Sequence, residues 1–231
     1  MCTCENKNPI TDEFDKNIIE NFGVIHNLTL DKISTLKNFP NETTKESYTV
    51  VAQVWGEELQ KLGIASVLPS LSSLEDIASK TSFNELTHFF DSLFFDGKIN
   101  FSEKINIEFI LKKTEQILDV SELNRTLLAF ENTMALNCLL SIKEKNIIVF
   151  SSVIARYSNE YWRKQLADKK SPWANGLKKG RITPDNVWKL NWKDILGGLG
   201  GCIVCSGGGV IGCISCAGGA SSFVSNAFKD S

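Results

Sequence analysis

The chain has 231 residues, 42% of them hydrophobic and 23% charged, with a formal net charge of −2. That suffices for a single well-buried core under a wet surface and excludes a disordered or collagenous chain. A balance this close to neutral argues on its own neither for nor against nucleic acid, and no nucleic-acid partner is expected. The seven cysteines leave the long middle of the chain with only Cys138, so a disulfide framework is not indicated. Met1–Asn8 is polar with no apolar core of a signal peptide behind it, which points to the cytoplasm. Cys2 and Cys4 read as exposed thiols on a frayed terminus.

Residues 1–10 read as disordered. From Thr11, the acidic first turn and Phe14, Ile18, Ile19 and Phe22 at helical spacing predict a helix that Gly23 ends. A shorter run follows over Leu28–Leu36. Thr43 to Glu46 has the capping-box pattern, and the stripe Val50, Val51, Val54, Leu59, Leu62 predicts a helix stopping at Gly63. Leu74 to Phe95 reads as the next helix, closed by the turn signal Asp96-Gly97. Ser102-Glu103 opens another, and Ser121 caps one that continues through Leu140. Lys143 to Asn146 reads as a polar break before an amphipathic helix over Ile147–Leu166. These segments predict an all-α fold, an antiparallel helical bundle over residues 11–168 with a glycine-rich apolar C-terminal appendage.

Residues 169–194 change in texture, mixing Pro172, Pro184, three tryptophans and many lysines, and read as a basic linker. Between Arg156 and Lys193 there are ten Lys or Arg against three Asp or Glu. The segment 195–228 then carries no charged residue in 34 positions, of which ten are glycine and four are cysteine.

Within that tail Cys202 to Gly208 is echoed by Cys213 to Gly219, a period of eleven residues. As a helix it would align Gly201, Gly208, Gly212 and Gly219 on one face, the small-residue pattern that lets helices approach closely in lipid. Together with Gly197 and Gly198 these are the candidate membrane and self-association residues, and Trp188 and Trp192 at the basic flank fit a bilayer boundary. The expected partner is a lipid membrane, with homo-oligomers formed through the tail. Two other readings of the tail stand beside this one. Cys202, Cys205, Cys213 and Cys216 supply four thiolates for zinc in a soluble binding module, although the spacing between the pairs is shorter than in zinc ribbons. Without that site no cofactor is expected. Gly197-Gly198 and Gly200-Gly201 also precede a Cys/Ser/Gly-rich stretch as in precursors of modified peptide antibiotics.

IARYSNEYW at 154–162, the Trp-containing segment after it, and NWKDILGGLGG at 191–201 resemble a group of bacterial proteins with a helical amino-terminal region and a bacteriocin-like glycine-zipper tail. The likeness covers mainly residues 150–228, and this chain departs from it in carrying cysteines where such tails carry alanine. The resemblance implies membrane association and no established activity. Catalytic signals are weak. His26 and His88 are the only histidines. Cys138 has apolar neighbours and reads as inert core, and Asp12, Glu13, Asp15, Glu57 and Glu58 read as solvated helix faces. The glycines of the tail match a phosphate loop only by chance. No enzyme is expected.

Overall fold

The structure is a computed structural model that describes residues 15–36, 44–64, 68, 70–73, 75, 86–174 and 182–204. Its helices are α1 (Lys16–Ser34), α2 (Thr44–Lys61), α3 (Leu86–Phe95), α4 (Phe101–Gln116), α5 (Val120–Leu136), α6 (Ile142–Ala167) and α7 (Trp188–Val204). No strand occurs among the described residues, as an all-α fold requires. The disordered terminus expected over 1–10 and the tail beyond Val204 lie outside the described residues.

The fold is built around α6. Ser141 caps it by accepting from the Glu144 backbone N–H, and the Glu144 carboxylate returns the bond to Ser141 N at 2.8 Å. From Asn146 to Ala155 every residue is buried, which a helix tolerates only at the centre of a bundle. It packs against α1, α4, α5 and α7, while α2 packs on α1. Small side chains make room for these neighbours. Ser151, buried on α6, donates to its own helix at Ile147 O over 2.8 Å, as buried Thr29 does to Ile25 O at 2.7 Å. Phe22 of α1 stacks on Trp55 of α2, with centroids 5.7 Å apart, and meets Phe150 of α6 edge-on. Burying each side chain of this size contributes about 1.5–3 kcal/mol.

Two helix ends follow the glycine signals. Gly63 and Gly97 adopt φ of +69° and +66°, the left-handed region. Ile64 N donates to Leu59 O at 2.9 Å, and Lys98 N to Leu93 O at 2.8 Å, closing the last turns of α2 and α3.

Elsewhere the structure differs from the sequence reading. Gly23 does not end a helix, because α1 runs through it to Ser34. A Cβ there would lie 2.6 Å from Tyr157 Cγ and 2.8 Å from Cε2, so glycine serves the close approach of α1 and α6. Asp119, not Ser121, caps α5, its carboxylate accepting from Glu122 N at 2.7 Å. That helix ends at Leu136, which leaves Cys138 exposed on the connection to α6 and not in the core. The polar run Lys143–Asn146 is the capped first turn of α6, not a break.

Packing continues beyond residue 168. Trp173 is fully buried, its ring edge-on to Trp162 with centroids 5.0 Å apart and its Nε1 donating to Tyr161 Oη at 2.8 Å. Ile182, Val187 and Leu190 are buried as well. A lysine-rich, proline-punctuated sequence conceals this, because its few large apolar side chains are too widely spaced to show a period.

Candidate functional site at the root of the glycine-rich segment

Helix α7 carries the sequence from the basic stretch into the uncharged tail, and it is held on three sides by α6, α4 and α3. Thr183 N donates to Asn186 Oδ1 at 2.6 Å in the turn that leads into it. Its residues Lys193 to Gly201 are all buried. Gly197, Gly198 and Gly201 therefore sit inside the packed body. Gly208, Gly212 and Gly219 lie outside the described residues, as do Cys205, Cys213 and Cys216. Cys202 falls in the last turn of α7. The described residues hold no metal-binding cluster, which leaves the four-thiolate arrangement of the tail outside the comparison.

One polar cluster pins the helix. Asp194, with no exposed surface, accepts from Trp162 Nε1 at 2.9 Å and from Ser158 Oγ. Ser158 Oγ also lies 2.8 Å from Asn191 Oδ1, and Asn191 Nδ2 donates to Asn159 Oδ1 at 3.2 Å. His26 on α1 completes the group: its Nε2 is 3.7 Å from Asp194 Oδ2, and its Nδ1 is 3.0 Å from Asn27 Oδ1. Three helices thus meet at one carboxylate. A buried carboxylate is costly unless donors surround it, so the cluster fixes both the depth and the rotation of α7.

Serine, histidine and aspartate side by side invite comparison with a hydrolytic triad. There, histidine stands between the other two and takes the serine proton. Here the carboxylate stands between serine and histidine, and all three are shut away from solvent. The arrangement positions a helix and offers no nucleophile to a substrate.

A second buried group lies nearby. Arg156 on α6 donates to Glu131 of α5 through Nε at 2.7 Å and to Glu20 of α1 through a terminal nitrogen at 2.5 Å. Burial opposes its charge, but the bonds to Glu131 and Glu20 raise its pKa above the ordinary guanidinium value. Ser152 Oγ donates to the same Glu131 oxygen at 2.9 Å, and Lys16 Nζ is 3.5 Å from the other.

The two tryptophans of the expected membrane flank are partly buried. Trp188 and Trp192 pack edge to face with centroids 5.2 Å apart, and Trp192 Nε1 donates to Leu111 O on α4 at 3.2 Å. Lys193 is buried, and Lys189 Nζ stands 5.9 Å from the Trp188 ring centroid. Lys178, Lys179 and Arg181 lie outside the described residues. Beside Trp192 a cleft of about 520 Å³ opens between α3 and α4, lined by Phe90, Leu111, Asp91, Glu108, Lys112, Glu115 and Gln116. No helix among the described residues is long and apolar enough to cross a membrane.

His26 and Asp194 were legible only as single letters. Their role depends on α1 and α7 meeting across α6, which no local pattern reveals. Asp194 offered one faint signal, as the last charge before 34 uncharged positions. His88, the other histidine, is exposed on α3. The chain matches no protein-family model, no curated protein and no solved structure.

Proposed function

We propose that this is a non-enzymatic, membrane-associating protein in which the helical domain holds the root of an apolar glycine-rich segment and presents the remainder to lipid. The observation that carries the reading is the burial of Ile195–Gly201 on a helix that leads directly into the uncharged tail. An apolar segment that begins inside a folded domain is tethered at a fixed point, and the portion after Val204 is the part we assign to lipid. Residues 205–228 give 24 uncharged positions, against the roughly 20 needed to span a bilayer as a helix. Glycine makes a poor helix in water, at about 0.8–1.0 kcal/mol per residue relative to alanine. Lipid reverses that preference, because unpaired backbone groups cost more there. Inserted in lipid, the tail would make close helix contacts through Gly208, Gly212 and Gly219. The resemblance to proteins with bacteriocin-like glycine-zipper tails agrees with this reading, and membrane disruption is its strongest form.

The test is flotation of the full chain on liposomes beside a chain ending at Val204, under reducing conditions, with zinc measured on both. A cut at residue 194 would remove buried Ile195, Leu196 and Leu199 and confound the result. Flotation of the full chain alone, without metal, supports the reading. Flotation of neither, with one zinc per full chain, replaces it with a metal-binding module.

A further inference from the structure

The outer surface of α3 and α4 carries an apolar stripe that the fold leaves uncovered. Phe101, Ile105 and Phe109 recur every fourth residue along α4 and are 66%, 47% and 36% exposed, so they line one helix face over about 12 Å. Phe95, 79% exposed, extends the stripe onto the end of α3 through Phe94, whose ring lies 5.8 Å from Phe95 and 6.5 Å from Phe101. At the other end Phe109 stacks on Phe130 at 4.8 Å. The cations beside it are engaged locally: Lys104 pairs with Asp91 and Glu108, and Lys113 lies over the Phe109 ring. A continuous aromatic surface of this kind marks an interaction site.

We infer that this stripe is the docking surface for the chain's own apolar segment 205–228 when no membrane is present. Position is the first argument. The segment is rooted in α7, whose first turns meet the two helices that carry the stripe, Trp192 standing beside Leu111 of α4 and Phe90 of α3. Reach is the second. Twenty-four residues extend up to about 80 Å, more than the width of a domain this size, so the tail can lie along a neighbouring helix without strain. Chemistry is the third: the segment has no charge to desolvate, and its Val210, Ile211, Ile214, Phe223 and Val224 offer aliphatic and aromatic partners for the phenylalanines. Tethering makes the contact intramolecular, so weak apolar contacts suffice at an effective concentration in the millimolar range. Docking would keep the tail from aggregating in water and would compete with its transfer to lipid. The inference deepens the membrane reading and rests on it only for where the tail goes when released.

The test uses the full chain, reduced and free of lipid, with Ile105→benzoylphenylalanine as a photo-crosslinker; Ile105 is half exposed, and helix content by circular dichroism checks that the fold survives. Irradiation is expected to give adducts within 205–228 of the same chain, in the monomer band, at a yield independent of protein concentration. A companion full chain with Val210→Lys, Ile211→Lys and Ile214→Lys should lose most of that yield and show severalfold faster hydroxyl-radical labelling of Phe95, Phe101 and Phe109. Adducts that appear only in dimers, rising with concentration, would assign the stripe to a second copy and overturn the inference. So would the absence of tail adducts, or labelling indifferent to the three lysines. Because no lipid is present, a failure here leaves the flotation result standing, and a flotation failure leaves this one standing.

Discussion

Replacing Asp194 by alanine tests whether one carboxylate holds α7 in place. The substitution strips Trp162 Nε1 of its acceptor at 2.9 Å and removes the acceptor of Ser158 Oγ, both fully buried. A buried donor left without a partner costs about 1–3 kcal/mol, so Asp194→Ala should lose about 2–5 kcal/mol, the upper end falling short of two full penalties because Ser158 retains Asn191. For a domain of this size that lowers Tm by about 5–15 °C. Ser158→Ala removes one donor and should cost about 1 kcal/mol. The double variant should then be less destabilised than the sum of the singles, by about 0.5–1 kcal/mol, since the shared bond can be lost only once. Urea unfolding followed by tryptophan fluorescence gives all three values. Strict additivity, or a loss below about 1 kcal/mol for Asp194→Ala, would refute the view that this cluster anchors the helix.

Three further outcomes are expected. Glu131→Ala leaves Arg156 buried with only Glu20 and should cost about 3–5 kcal/mol, whereas Glu20→Gln, at the wetter end of the same group, should cost under about 1 kcal/mol by thermal unfolding. Gly23→Ala should destabilise by about 1–2 kcal/mol despite the gain in helix propensity, because the new methyl meets the Tyr157 ring. Gly56→Ala on α2, with nothing within 4 Å of the added carbon, should be neutral or stabilise by up to about 1 kcal/mol, and the sign difference in chemical denaturation is the check. Ser141→Ala should cost about 1 kcal/mol at neutral pH through loss of the α6 cap. The bonds from the Ser141 side chain and backbone hold the Glu144 pKa below its ordinary value. Their stability is therefore whole above the ordinary carboxylate range and is lost as pH falls through the depressed value, so the cost of Ser141→Ala should shrink in acid. A cost that grows on acidification would contradict this.

The helical class could be read from the sequence because capping and periodicity are local: Glu46, Glu103 and Glu144 all stand in first turns, and Gly63 and Gly97 end helices as their conformational freedom allows. The differences have two causes. At Gly23 and in residues 169–194 a local signal for a break is overridden by tertiary contact, through Tyr157 and the Trp162–Trp173 pair. At Lys143–Asn146 and Ser121 a neighbouring residue, Ser141 or Asp119, supplies the cap. The tail was singled out by composition alone, and composition identifies where charge is missing without saying which part is enclosed. That Ile195–Gly201 are enclosed follows from neighbours far away in the chain.

The position of α7 also sets an order of events during synthesis. The helix supplies Leu190, Ile195, Leu196 and Leu199 to the core and Asp194 to His26, near the opposite end of the chain. Contacts spanning such distances slow folding, and here they cannot form at all until residue 199 has left the ribosome. The domain stays incomplete until just before its longest uncharged stretch emerges. The nascent chain must therefore close its core and manage an apolar segment within the same few seconds, at synthesis rates of about 5–20 residues per second.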